Sequence, residues 1–204
     1  MKGAKNTDKY VDTCVFYLLM YNIDNKIYVI YSIKSFKEVI MKKIFISHAA
    51  SDKEIVGELI ELLEGMGVAS NRIFCSSFEG YGIKLGINWL DAIKQELTDE
   101  SLVLFVLTTN FYNSHMCQCE LGAVWANTLR HIPILVPPLT YKDLEYILRN
   151  QQSMVINDEN KINSLYEEIL EWFDLPTLKV NIWKLKSDKF LGNVNAILKK
   201  KFVL

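Results

Sequence analysis

A chain of 204 residues holds one α/β domain plus extra segments, since a typical domain takes roughly 100–150 residues, and is too short for two full ones. Half of its residues are apolar and only 23% are charged, which supplies a packed core and excludes wholesale disorder. A net charge of −1 excludes the broadly basic surface that nucleic-acid binding needs.

The first 40 residues differ from the rest. Two apolar, β-prone runs, Cys14–Tyr21 and Ile27–Ile33, flank the polar turn Asn22-Ile23-Asp24-Asn25 and predict a hairpin. Neither reaches the ~18–20 apolar residues of a membrane span, and no small-residue cleavage site follows, so neither membrane insertion nor secretion is expected. Met41 opens a more regular pattern. Residues 1–40 are therefore expected to be an N-terminal extension, either a hairpin or sequence upstream of a natural start at Met41. Residues 41–175 then form the main domain and 176–204 a basic C-terminal helical segment. Cys14, Cys75, Cys117 and Cys119 show no paired framework, so reduced thiols and a cytoplasmic location are expected.

From Lys42 on, apolar runs alternate with helical periodicity. Ile44–Ser47 reads as a buried strand. Ser51-Asp52-Lys53-Glu54 reads as a capping box, with Ser51 accepting from the Glu54 amide and Glu54 reaching back. The helix it opens carries Ile55, Leu59, Leu62, Leu63 and Met66 on one face and ends at Gly65 and Gly67. Arg72–Ser76 is a second strand, followed by the glycine-bearing loop Phe78–Gly86 and a helix from Ile87 to Leu97. Ser101–Leu107 is unbroken and apolar, as a central parallel strand covered on both faces should be. A helix then starts between Asn110 and Ser114, passes through Glu120 and ends near Leu129. Ile132–Val136 is a fourth strand, stopped by Pro137-Pro138, and further helices are expected at Tyr141–Leu148, Glu159–Phe173 and Ser187–Lys200. Such repetition gives a doubly wound parallel sheet with right-handed crossovers. Ligands in such sheets sit beyond the carboxyl ends of the strands, here His48–Ser51, Ser76–Gly86 and Thr108–Glu120. The last segment holds seven lysines against the single acid Asp188, and reads as a solvated basic helix at a domain's end.

Glu120 is the first chemical candidate. It follows Met116 by four residues on one helix face, and Ala123 and Asn127 leave room in front of its carboxylate. Cys117, Leu121, Val124 and Trp125 form the packing stripe. On spacing alone the simpler reading is a solvent-facing glutamate favoured by the helix dipole. The run His115-Met116-Cys117-Gln118-Cys119-Glu120 has the wrong spacing for a metal, because side chains two apart on a helix diverge by about 200°. Cys117 and Cys119 are expected to be buried thiols, and no metal is expected. Gly80-Tyr81-Gly82-Ile83-Lys84-Leu85-Gly86 misses the dinucleotide fingerprint, its third glycine falling one residue late. The loop presents Phe78, Tyr81 and Ile83 as a ligand wall, a self-association surface, or a turn packed back onto the sheet. His48 could reach a ligand past the first strand, although a lone histidine there is more commonly structural. No histidine and serine pair as base and nucleophile.

Taken together, Lys43–Glu54, Ile73-Phe74-Cys75-Ser76-Ser77 through Gly86, Leu102–Tyr112 and Cys117–Ala123 resemble four ordered motifs of the Toll/interleukin-1 receptor (TIR) family, specifically its stand-alone bacterial members. The resemblance covers about Lys42 to Phe173. It implies a flavodoxin-like doubly wound parallel sheet, the TIR fold, with helices on both faces. It further implies an NAD⁺ glycohydrolase or cyclase of bacterial antiphage defence or signalling, with Glu120 catalytic. NAD⁺ is then the substrate and no separate cofactor is needed. By position Ser47, His48, Ala49 and Ala50 would border the nicotinamide ribose. Phe78 with Gly82, Ile83, Gly86 and Ile87 would close over the ligand, and Met116 would stand where many members place tryptophan. Ala49 stands where a basic residue is common. The resemblance also implies a homodimer or filament, and a separate effector reached through a cyclic nucleotide. No nucleic acid or membrane partner is implied. A non-catalytic TIR interaction module and a nucleoside deoxyribosyltransferase-like enzyme are the alternatives.

Overall fold

The computed structural model describes residues 13–23, 26–36, 42–76, 78, 80–82, 93, 96–127, 129–144, 148–149 and 151–202. The chain divides into two compact units, residues 1–40 and 41–204. The first contains the expected hairpin: β1 (Thr13–Ile23) pairs antiparallel with β2 (Lys26–Phe36), from Thr13 opposite Phe36 to Ile23 opposite Lys26.

The second unit is a five-stranded parallel sheet. Its strands are β3 (Lys43–Ser47), β4 (Ile73–Phe74), β5 (Ser101–Leu107), β6 (His131–Leu135) and β7 (Met154–Val155). Their order across the sheet is β4-β3-β5-β6-β7, the doubly wound flavodoxin-like arrangement. Every residue of β5 is buried, as an apolar strand with helices on both faces must be. The last strand escapes prediction because two residues leave no periodic pattern.

One face of the sheet carries α1 (Lys53–Met66), α4 (Glu159–Phe173) and α5 (Val180–Phe202), packed over Ile44, Ile46, Leu102 and Leu104. The other face carries α2 (Thr109–Asn113) and α3 (His115–Ala126), packed over Phe45, Val103, Phe105 and Leu107. The expected single helix is thus two. Thr108 caps the first by accepting from the Phe111 amide, and Ser114 caps the second by accepting from the Cys117 amide.

Other boundaries are corrected. Ser51 caps nothing: a 3-10 turn, Ala50–Asp52, precedes α1, whose N-cap is Asp52 without a side-chain cap bond. The helix does end as expected, at Gly67 in a left-handed conformation (φ 106°), its amide reaching Glu64 and Leu63 carbonyls. The segment expected as a helix from Tyr141 begins with only a 3-10 turn, Tyr141–Asp143, and Leu144 is already extended. The helix expected over Ile87–Leu97 lies largely outside the described residues. The C-terminal helix starts earlier than expected, at Val180, and buries Trp183, Phe190, Val194 and Leu198 against the α1 face.

The lysines of the basic segment are mostly exposed, as expected, and several of them form surface ion pairs. Lys189 pairs with Glu61, Asn193 with Glu58, Lys200 with Glu54 and Lys201 with Asp52, so residue numbers rise along α5 as they fall along α1. The two helices are antiparallel, which sets the C-terminal end of α5 against the N-terminal end of α1. Their dipoles oppose favourably there. Lys184 joins Glu159 of α4 and Asp188 of its own helix.

Candidate active site

The strand order reverses direction between β3 and β5, and ligands of such sheets bind in the crevice beyond that point. Ser47 closes β3 there. Alternation along the strand sends Ile44 and Ile46 toward α1, and Phe45 and Ser47 toward α3. From the facing side, Glu120 in the second turn of α3 points back at it. The Ser47 hydroxyl donates to Glu120 Oε2 at 2.5 Å.

Glu120 is only 5% exposed, so the solvent-facing reading is overturned. Burial pushes its carboxyl from an ordinary 4.5 up to about 7, and the Ser47 hydrogen bond partly offsets the rise. A buried acid titrating near neutrality in the crevice of an α/β sheet is a functional-site signature. Met116, one turn earlier, is half-buried. The stripe beside Glu120 is Cys117, Leu121 and Val124, without the expected Trp125, which is 60% exposed. Cys117 is buried but Cys119 is exposed, correcting one of the two expected buried thiols; the pair faces opposite ways, as residues two apart on a helix must.

Ala49 packs beneath α3 in the same core as Cys117 and Leu121, whereas Ala50 is exposed at the start of the 3-10 turn. His48 is buried on the other side of the loop. Its Nδ1 lies 3.4 Å from the Ile46 carbonyl and 3.7 Å from Cys75 Sγ, and burial lowers its pKa, with the Ile46 contact opposing.

The described part of the loop after β4 turns back, and its two described rings lie partly buried against α1. Cys75 amide bonds the Tyr81 carbonyl, Phe78 packs against Gly57 of α1, and the Tyr81 hydroxyl donates to Glu64 at 2.7 Å. Phe78 therefore sits on the α1 side, packed against the cluster opposite to the one beneath Glu120. Gly82 is enclosed: a Cβ there would lie 2.9 Å from the Ser76 carbonyl oxygen. Ile83, Gly86 and Ile87 lie outside the described residues.

Sequence reasoning missed a second polar cluster beside this site. Asp52 is 1% exposed, and its carboxylate accepts from Thr108 Oγ1 (2.6 Å), Asn110 Nδ2 (3.0 Å) and Lys201 Nζ (3.1 Å). Its partners lie far along the chain, so no local spacing signals the cluster. Among the described residues no cluster of His, Cys, Asp and Glu is arranged to hold a metal ion, and no helix is long and apolar enough to cross a membrane.

Comparison with known proteins agrees with this fold. The family model described as TIR domain matches residues 44–169. The uncharacterized protein YddK of Bacillus subtilis (strain 168) is 32% identical over 149 residues, which cover 73% of this chain and 56% of that protein. The chain therefore spans little more than half of that relative's length. The TIR domain of the Toll-related receptor TRR-2 from Hydra magnipapillata is similar in fold. It superposes with a TM-score of 0.50 at 20% identity, over 62% of this chain and 96% of the other.

Proposed function

The chain belongs to the TIR domain family, and from that premise we propose that it is an NAD⁺ nucleosidase that uses Glu120 to break the nicotinamide glycosidic bond. The observation that carries this reading is the buried Glu120 carboxyl, held by Ser47 at the point where the strand order reverses. Breaking the C–N bond builds positive charge on the ribose ring, and a fixed carboxylate in a water-poor crevice stabilises that charge. The leaving nicotinamide departs neutral from a cationic start, so no general acid is required. One carboxylate can then suffice where O-glycoside hydrolysis commonly uses two. Water attacking the ribose gives ADP-ribose, nicotinamide and a proton; attack by a nucleophile of the adenine end gives a cyclic isomer. Ser47 fixes the carboxylate's direction, and Met116 supplies an adaptable apolar surface one turn away.

TIR domains generally associate with themselves or with other TIR proteins, and a homodimer or filament is the proposed working state. A role in antiphage defence or in producing a cyclic signal for a separate effector follows from the same reading. The test incubates concentrated protein with NAD⁺ and identifies products by mass. Wild type should release nicotinamide, and Glu120→Gln should lower the rate by about 100-fold or more, as loss of a principal electrostatic stabiliser does. Absence of release from wild type in every assembled state would favour the non-catalytic interaction module. Equal release by the variant would remove Glu120 from the chemistry.

A further inference from the structure

The C-terminal helix lies beyond the matched family segment, which ends at residue 169, yet its last turn reaches the base of the site. Lys201, one third exposed, places Nζ 3.1 Å from Asp52 Oδ1. Asp52 belongs to the loop that leaves Ser47, and through its other oxygen it accepts from Thr108, the residue that closes β5 and caps α2. Asn110 of α2 donates to the same oxygen as Lys201. The β3 loop that carries Ser47 and the β5 loop that leads to Glu120 are thereby tied through one buried carboxylate. Among the described residues that donate to it, Lys201 alone is a cation. A buried carboxylate left with neutral donors alone draws water or shifts its loop, because desolvation of an unpaired charge is costly.

We propose that Asp52 and Lys201 are positioning residues for Glu120: the C-terminal helix locks the two loops in the register that lets Ser47 hold the catalytic carboxyl. This rests on the NAD⁺ reading for its kinetic consequence but not for its structural one. Lys201 acts through the loops and touches no reacting atom.

Three variants test it. Lys201→Met removes the charge, Lys201→Arg keeps it, and Lys189→Met breaks the Glu61 pair in the same helix seam without reaching Asp52. Lys201 and Lys189 are both partly or largely exposed, so the fold tolerates each change. If wild type cleaves NAD⁺, Lys201→Met should lower kcat about tenfold with little change in KM, as expected when a catalytic group is slightly misplaced. Lys201→Arg should recover most of that loss and Lys189→Met should match wild type. Equal kcat for the two methionine variants would overturn the positioning role and leave the proposed reaction standing. If wild type cleaves nothing, the reaction is refuted and the amide exchange of Phe111, which Thr108 caps, decides the structural claim. Exchange faster in Lys201→Met than in Lys189→Met supports the tie; equal exchange overturns it.

Discussion

Glu120 binds its proton more tightly in the folded chain than an exposed glutamate does, and that difference acts on stability as well as on chemistry. Its folded value, about 7, lies above the ordinary 4.5, chiefly because burial penalises the charge. Between those values the folded chain is protonated and the unfolded chain is not, so stability falls as pH rises through this window. Above it the full penalty persists, on the order of 3 kcal/mol if the whole shift is realised. Glu120→Gln is neutral throughout. It should therefore melt several degrees above wild type at pH 8, with the gap closing toward pH 5. Thermal unfolding followed by circular dichroism at the two pH values measures this, and a gap independent of pH would contradict the assigned burial cost. The proposed reaction would draw on the opposite form, since a carboxylate is the species that stabilises a ribose cation.

At the scale of elements, the loop after β4 is set by contacts that leave no room for a side chain. A Cβ on Gly82 would meet the carbonyl oxygens of Ser76, Phe78 and Cys75 at 2.9, 3.1 and 3.2 Å. These are backbone atoms, so the turn itself must open. Gly82→Ala should destabilise the protein by about 1–3 kcal/mol, the range for a strained or overpacked site, and urea unfolding with an unchanged m-value would register it. A variant as stable as wild type would show that the turn opens freely.

Elements of this kind also show what the sequence makes legible. Ser101–Leu107 and Glu159–Phe173 match their expected limits because each carries its own boundary signals, an unbroken apolar run in one and the Asp158 cap in the other. β7 has only two residues and no such signal. The capping box at Ser51 fails for a different reason. Asp52 gains three partners from residues 56, 58 and 149 positions away, and these long-range bonds outweigh a local cap. Glu120 follows the same logic in reverse. Helical spacing describes only its own helix, whereas its burial and its bond to Ser47 depend on a strand 73 residues earlier. Family resemblance carries tertiary information of this kind and singled out both residues, whereas spacing along the chain carries none about Phe78, which packs against α1.

For the α/β unit as a whole, α5 is part of the core and not an appendage. Trp183, Phe190, Val194, Ile197 and Leu198 are all buried on it, and Trp183 stacks on Tyr166 of α4 with centroids 4.0 Å apart. Burying a large apolar side chain stabilises by roughly 1.5–3 kcal/mol, so five of them rival the entire stability of an ordinary domain. A chain truncated after Leu178 should lose its cooperative thermal transition and expose the apolar face of α1, although the matched family segment is intact. A sharp melt near the wild-type temperature would refute that role for α5.

The antiparallel course of α5 along α1 has a practical side. A reporter or purification tag fused beyond α5 begins its path next to the loops that carry Ser47 and Asp52. Such a fusion hangs its linker on the turn that holds Asp52, so a short linker that pulls on Lys201 tugs on both loops at once.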